Sequence, residues 1–165
     1  MEDRFRFPAF SSQTIEGAPV TDAVFAEKRL TMVNMWATWC PPCVGEMPDL
    51  AELARDMPEG SQLVGIVMDV SVGDVGTPAH AKAKAILSQA GADFMQILRS
   101  DDMTPYLSGV RSIPATIFVN SEGRVIEQPL VGARSASEYC AEVESLLDGL
   151  NPPEDSNVWV LDPRR

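Results

Sequence analysis

The feature that most constrains this chain is a Cys-Pro-Pro-Cys tetrad at residues 40–43, set between two stretches of different periodicity. Before it, Leu30 to Trp36 (LTMVNMW) is a continuous apolar run, the pattern of a strand buried on both faces. After it, Val44, Met47, Leu50 and Leu53 recur at steps of three and four, one face of a helix running from Cys40 to Met57. Pro41 and Pro42 suit that helix's first turn, where a missing N–H costs nothing. Gln62 to Asp69 (QLVGIVMD) is the next strand, entered through Pro58-Glu59-Gly60. The tetrad therefore sits at the strand-to-helix junction of a β-α-β unit.

That placement gives the two sulfurs a chemistry. Only a thiolate attacks a disulfide, and an ordinary thiol is mostly protonated at neutral pH. At a helix N-terminus, unpaired N–H groups and the positive end of the dipole favour the charged sulfur. Cys40 takes that position and is the expected nucleophile. Two intervening residues bring Cys43 round one turn to bonding distance, so it is the expected resolving thiol. Trp39, next to Cys40, is a candidate apolar substrate platform, and Trp36 is expected in the core. Cys140 is the third and last cysteine, an odd count that argues against a disulfide-stapled scaffold. It shares a helix face with Val143 and Leu147 and is expected to be an inert buried thiol.

Around the tetrad the rest of the chain falls into place. Phe10 to Val20 reads as a hairpin about Glu16-Gly17, and Thr21 caps a short helix through Lys28. Pro78 to Ala90 reads as a helix, Phe94 to Leu98 as a strand and Met103 to Leu107 as a short helix. Thr116 to Asn120 and Val125 to Val131 form a strand pair about Ser121-Glu122-Gly123. Ser135 to Glu138 is a capping box opening a last helix, with Tyr139, Val143, Leu146 and Leu150 as its apolar stripe and Gly149 with Pro152 as its end. The expected organisation is one domain over residues 1–150 and a polar, Pro-rich tail over 151–165, anchored by Trp159.

The formal net charge of −11 would repel phosphate backbones, so nucleic acid is excluded as an expected partner. No apolar run approaches the ~20 residues that span a bilayer. Met1-Glu2-Asp3-Arg4-Phe5 lacks the basic-then-apolar pattern of a secretory signal. Two expectations stay open on that ground: a cytoplasmic protein, or an exported one whose signal or anchor has been removed.

Trp36-Ala37-Thr38-Trp39-Cys40-Pro41-Pro42-Cys43, followed by Glu46-Met47-Pro48, resembles the signature of the TlpA/ResA-type branch of the thioredoxin superfamily. The resemblance covers about Phe7 to Leu150. It implies an α/β thioredoxin-like fold: a central mixed β-sheet flanked by helices, with an inserted helix and strand between a βαβ and a ββα half. It implies that Ile113-Pro114 is a cis-proline loop facing the tetrad, where Pro114 alone would read as a turn proline. With Trp39, Pro41 and Pro42, that loop would form the substrate-binding surface. Asn34 stands where thioredoxin has a buried acid; as a core amide it is expected to have its hydrogen bonds satisfied. Glu46 matches an acid the branch uses near its active site, so it is the candidate for exchanging a proton with Cys43.

The implied activity is protein-disulfide reduction or exchange outside the cytoplasm, without a cofactor. The partners would be disulfide-containing or oxidised proteins and an upstream dithiol donor, membrane-bound or free, with the protein itself a monomer. Three other readings use the same cysteines. Half of a zinc site would need two more ligands, and no second Cys-X-X-Cys exists. Copper binding, as in the related Sco-type proteins, would need a histidine near the later loop, whereas His80 is expected to be solvated at the start of the inserted helix. A thiol peroxidase would attack peroxide with Cys40 and need no resolving thiol at this spacing. No metal ligand is therefore assigned.

Overall fold

The computed structural model describes residues 5–150, so the expectations for the tail over 151–165, Pro152 and Trp159 included, lie outside the described residues. Two short strands, β1 (Ser11–Gln13) and β2 (Pro19–Thr21), form the hairpin, which turns at Gly17 with φ +100°. Thr21 caps the 3-10 helix Asp22–Glu27 by accepting the Ala23 N–H. Strand β3 (Leu30–Trp36) leads to helix α1 (Pro41–Ala54), and β4 (Ser61–Ser71) follows. The insertion is α2 (Pro78–Ala90) and β5 (Gln96–Arg99), then a short helical stretch ending in α3 (Thr104–Leu107). Strands β6 (Ala115–Asn120) and β7 (Leu130–Val131) and helix α4 (Ala136–Leu150) close the domain.

The five long-range strands pair in the order β5-β4-β3-β6-β7, with β3, β4 and β5 parallel and β6 and β7 antiparallel to their neighbours. This is a thioredoxin-like α/β fold with a central mixed sheet. Every residue of β3 is buried, as its unbroken apolar run requires of a central strand covered on both faces. Period-two alternation divides them. Leu30, Met32 and Trp36 join the core beneath α1 and α4, while Val33 and Met35 join the core on the opposite face with Phe7, Phe10 and Phe25. Asn34 falls on the α1/α4 face between Met32 and Trp36. Register thus places one amide in an otherwise apolar layer.

Two elements differ from the sequence reading. Val125 to Val131 is not one strand: Val125 makes an isolated bridge to Val119, and regular pairing resumes only at Leu130. Pro129 explains the break, since it has no N–H to give the ladder. Gly149 lies inside the last turn of α4 instead of ending it, and the fully buried positions of that helix are Tyr139, Val143 and Leu147. By contrast α2 ends as glycine allows, with Gly91 left-handed at φ +71° and Ala92 N–H bonded to the Leu87 carbonyl. The box at the start of α4 is formed: Ser135 N–H donates to Glu138 Oε1 and Glu138 N–H to Ser135 Oγ.

Candidate functional site

Cys40 is the N-cap of α1 and is joined to Cys43 as a disulfide, with their Cα atoms 5.2 Å apart. Because Pro41 and Pro42 fill the first two helical positions, the first N–H that the helix can offer is that of Cys43. It points at Cys40 Sγ from 3.3 Å. The prolines therefore leave one directed donor at the sulfur where most helices leave several. Just before the tetrad, the Asp69 carboxylate at the end of β4 accepts both the N–H and the hydroxyl of Thr38. That fixes the turn from which Cys40 enters the helix.

The Ile113–Pro114 peptide bond is cis, and the Ile113 carbonyl oxygen lies 3.7 Å from Cys40 Sγ. Pro114 is buried and its carbonyl accepts from Gly132 N–H, which ties the loop to the segment after β7. Trp39 stands 66% exposed beside the sulfurs, with Pro41 and Pro42 also at the surface. Arg111 and Ser112, just before Ile113 in the chain, join Tyr106, Val110, Pro129 and Val131 in lining a largely apolar groove. Trp36 is fully buried, as expected, and its Nε1 donates to Gln96 Oε1.

Glu46 lies on α1 one turn beyond Cys43, and it is 3% exposed. Its Oε1 accepts from Tyr139 Oη at 2.8 Å and from the Arg134 N–H at 3.0 Å; its Oε2 accepts from Asn34 Nδ2 at 3.0 Å. Burial raises its pKa; the three hydrogen bonds lower it and Asp49 adds to the rise, with the net direction upward. The Tyr139 hydroxyl is pushed up as well, first by burial, against a hydrogen bond from Thr116 that lowers it, and then by the facing Glu46. A buried carboxyl with a raised pKa keeps its proton to higher pH than a surface acid at this position would.

The sign of the stability effect follows from that direction. A carboxyl whose folded pKa is raised binds protons more tightly in the native state, so its contribution is complete below the ordinary carboxyl range. It is lost as pH rises through the folded value. Glu46→Gln does not titrate, so urea unfolding of the oxidised protein should show the variant gaining stability relative to the native chain between pH 4 and pH 8. A constant difference across that range would refute the raised pKa.

Three sequence expectations change here. His80 is not solvated: it is buried, its Nε2 lies 2.8 Å from the Ile15 carbonyl and its Nδ1 accepts from Gly76 N–H. The carbonyl can only accept, so Nε2 carries the proton, and the imidazole bolts the hairpin to the start of α2. Asn34 is not fully satisfied: Nδ2 bonds Glu46 and, at 3.4 Å, Thr116, but the buried Oδ1 has no partner. Cys140 is half-buried, packed against the core but not inside it, and its thiol pKa is raised by burial and then by Glu144 and Asp56. Sequence reasoning missed Asp69, Arg134 and the Tyr139 hydroxyl. Tyr139 was legible only as part of an apolar stripe.

The family model described as Redoxin matches residues 3–143. Over 145 residues the chain is 28% identical to the thiol:disulfide interchange protein DsbE homolog of Paracoccus denitrificans, covering 85% of this chain and 74% of that protein. It is 33% identical over 95 residues to the thiol-disulfide oxidoreductase ResA of Bacillus subtilis, covering 58% of this chain and 49% of ResA. A crystal structure of a thiol:disulfide interchange protein of the thioredoxin family from Chlorobium tepidum TLS superposes with a TM-score of 0.69 at 25% identity, over 85% of this chain and 94% of that one. The chain belongs to the redoxin family, and within it is a thioredoxin-fold thiol:disulfide oxidoreductase of the TlpA/ResA type.

Proposed function

We propose that this protein reduces or exchanges disulfides in protein substrates through the Cys40–Cys43 pair. The observation that carries the reading is the setting of Cys40: helix N-cap, one N–H aimed at its sulfur, the Ile113 carbonyl beside it and an exposed tryptophan at its flank. In the reduced protein the Cys40 thiolate attacks a substrate disulfide, forming a mixed disulfide and releasing one substrate thiolate. The Cys43 thiol gives its proton to Glu46 and attacks Cys40, closing the Cys40–Cys43 disulfide and releasing the second thiolate. Two electrons pass to the substrate, and its two thiolates take up one proton from Glu46, which restores the carboxylate, and one from solvent. A dithiol donor, membrane-bound in an envelope setting, restores the thiols.

An extended substrate segment fits between Trp39, Pro41 and Pro42 on one side and Ile113-Pro114 on the other, with the backbone of Ile113 available to pair with it. We place the protein outside the cytoplasm, by analogy with the DsbE and ResA relatives, and read it as a monomer. No helix among the described residues is long and apolar enough to cross a membrane. The copper alternative loses its histidine, because both ring nitrogens of His80 are engaged. The peroxidase alternative leaves Cys43 without a task.

Redox poise separates reductase from oxidase. The helix N-terminus stabilises the Cys40 thiolate, but no His or Lys stands between the cysteines, and the acidic net charge opposes it, as does Glu46 when ionised. Equilibration against glutathione or dithiothreitol should return a potential of roughly −270 to −200 mV, alongside reduction of a model protein disulfide. A value above about −150 mV would mean an oxidase and would overturn the direction proposed.

A further inference from the structure

Glu46 presents its two oxygens to different company, and the difference decides where a proton can sit. Oε2 faces the Asn34 amide nitrogen, which can donate but has no lone pair to accept. A proton on Oε2 would set two donors against each other. The amide could answer only by turning over, and that would carry Nδ2 to the place where Oδ1 now finds no partner. Oε1 faces the Arg134 N–H and the Tyr139 hydroxyl. A hydroxyl is both donor and acceptor, and it reverses its role by rotating about one bond.

Tyr139 also has somewhere to turn. Its oxygen lies 2.8 Å from Glu46 Oε1 and 3.5 Å from the Gly132 carbonyl, and the Thr116 side chain hydrogen-bonds it as well. We propose that Tyr139 is the positioning residue for the Glu46 proton, its hydroxyl donating to Oε1 when the carboxyl is ionised and turning to the Gly132 carbonyl when Oε1 is protonated. In the second arrangement Oε1–H donates to the Tyr139 oxygen and the Arg134 N–H keeps its bond to Oε1. No buried group is left unpaired that was paired before. The Asn34 amide keeps its present orientation in both.

The arrangement links the proton to the substrate loop. Gly132, whose carbonyl receives the turned hydroxyl, is the residue whose N–H bonds the Pro114 carbonyl at 2.8 Å. One rotor on α4 therefore joins Glu46 on α1 to the segment that braces Ile113-Pro114. The other titratable groups facing this cluster are Asp49 on α1, Arg134 in the loop before α4, Glu138 on α4 and Cys43 itself; the first three line the cleft at Glu46.

The proposal rests on the reading of Glu46 as the group that exchanges a proton with Cys43, and its test keeps the two apart. The chain has two tyrosines, so 13Cζ-tyrosine labelling yields two resonances, assigned by Tyr139→Phe. In the oxidised protein the Tyr139 resonance should move across the pH range in which Glu46 titrates, and not in Glu46→Gln. The Ala133 amide nitrogen, on the peptide of the Gly132 carbonyl, should move with the same midpoint. Tyr139→Phe removes a donor from the ionised carboxylate, so the Glu46 midpoint should rise by about one pH unit, a tenfold change in proton affinity. The pH profile for resolution of a Cys40 mixed disulfide should rise with it. A Tyr139 resonance that stays flat while Glu46 titrates overturns the proposal. If instead Glu46→Gln resolves mixed disulfides at the native rate at every pH, the proton-transfer reading fails even where the tyrosine moves.

Discussion

Cys43→Ser should convert this protein into a trap. With Cys40 free to attack and nothing to resolve the product, mixed disulfides with substrate should accumulate. Turnover should then depend on external thiol and fall roughly a hundredfold or more, because an intramolecular thiol in this geometry acts at an effective concentration that external thiol cannot match. Cys40→Ser should abolish exchange without forming a trap. The assignment follows from position: Cys40 caps α1, receives the Cys43 N–H and, though only 3% exposed, lies among exposed Trp39, Pro41 and Pro42, while Cys43 is 0% exposed one turn inside. Limited alkylation of the reduced protein near neutral pH, read by peptide mass, should label Cys40 first. Cys140 should lag, since burial, Glu144 and Asp56 all hold its thiol in the protonated form. Labelling that favours Cys43 or Cys140, or a trap formed by Cys40→Ser instead, would reverse the roles.

What the sequence disclosed follows the range of the forces involved. The limits of β3 and α2 were legible to the residue, because an unbroken apolar run and a proline-led helix start are local signals. The break at Pro129 has a local signal too, since proline has no N–H to give the ladder whatever the apolar pattern of residues 125–131. Glu46 was legible as a residue but not as an environment. Its partners come from β3, from the loop before α4 and from α4 itself, the last 93 positions away. The Tyr139 hydroxyl is invisible in a stripe that counts only apolar area, for a tyrosine buries its ring for one reason and places its oxygen for another. His80 failed for the same reason. A lone histidine on a helix reads as solvated until the fold brings a carbonyl from residue 15 to its ring.

Gly65→Ala should cost this protein roughly 2–4 kcal/mol, although it adds a single methyl group in a strand where glycine is ordinarily a weakness. Gly65 sits in β4 between Asn34 of β3 and Gln96 of β5, and its backbone is not left-handed, so conformational freedom is not what the position requires. What it requires is space: a Cβ there would lie 2.1 Å from Gln96 Oε1. Gln96 cannot swing aside into solvent, because it is 1% exposed and its Oε1 receives the Trp36 indole N–H at 2.9 Å. Displacing it strands that buried donor, worth about 1–3 kcal/mol, and crowds a packed layer, worth about 1–3 kcal/mol more. The lower chain entropy of alanine in the unfolded state returns about 0.4–1 kcal/mol. Trp36 ends the strand that delivers Cys40, so the damage should also loosen the site and show as faster alkylation of Cys43. Urea unfolding of the oxidised protein measures the stability term. The double variant Gly65→Ala, Gln96→Ala isolates its cause, since removing the glutamine removes the clash, and the two losses should then sum to well above the loss of the pair. A single variant within about 0.5 kcal/mol of the native protein, or strictly additive losses, would show that the Gln96 side chain gives way freely and that the close approach at Gly65 has no energetic weight.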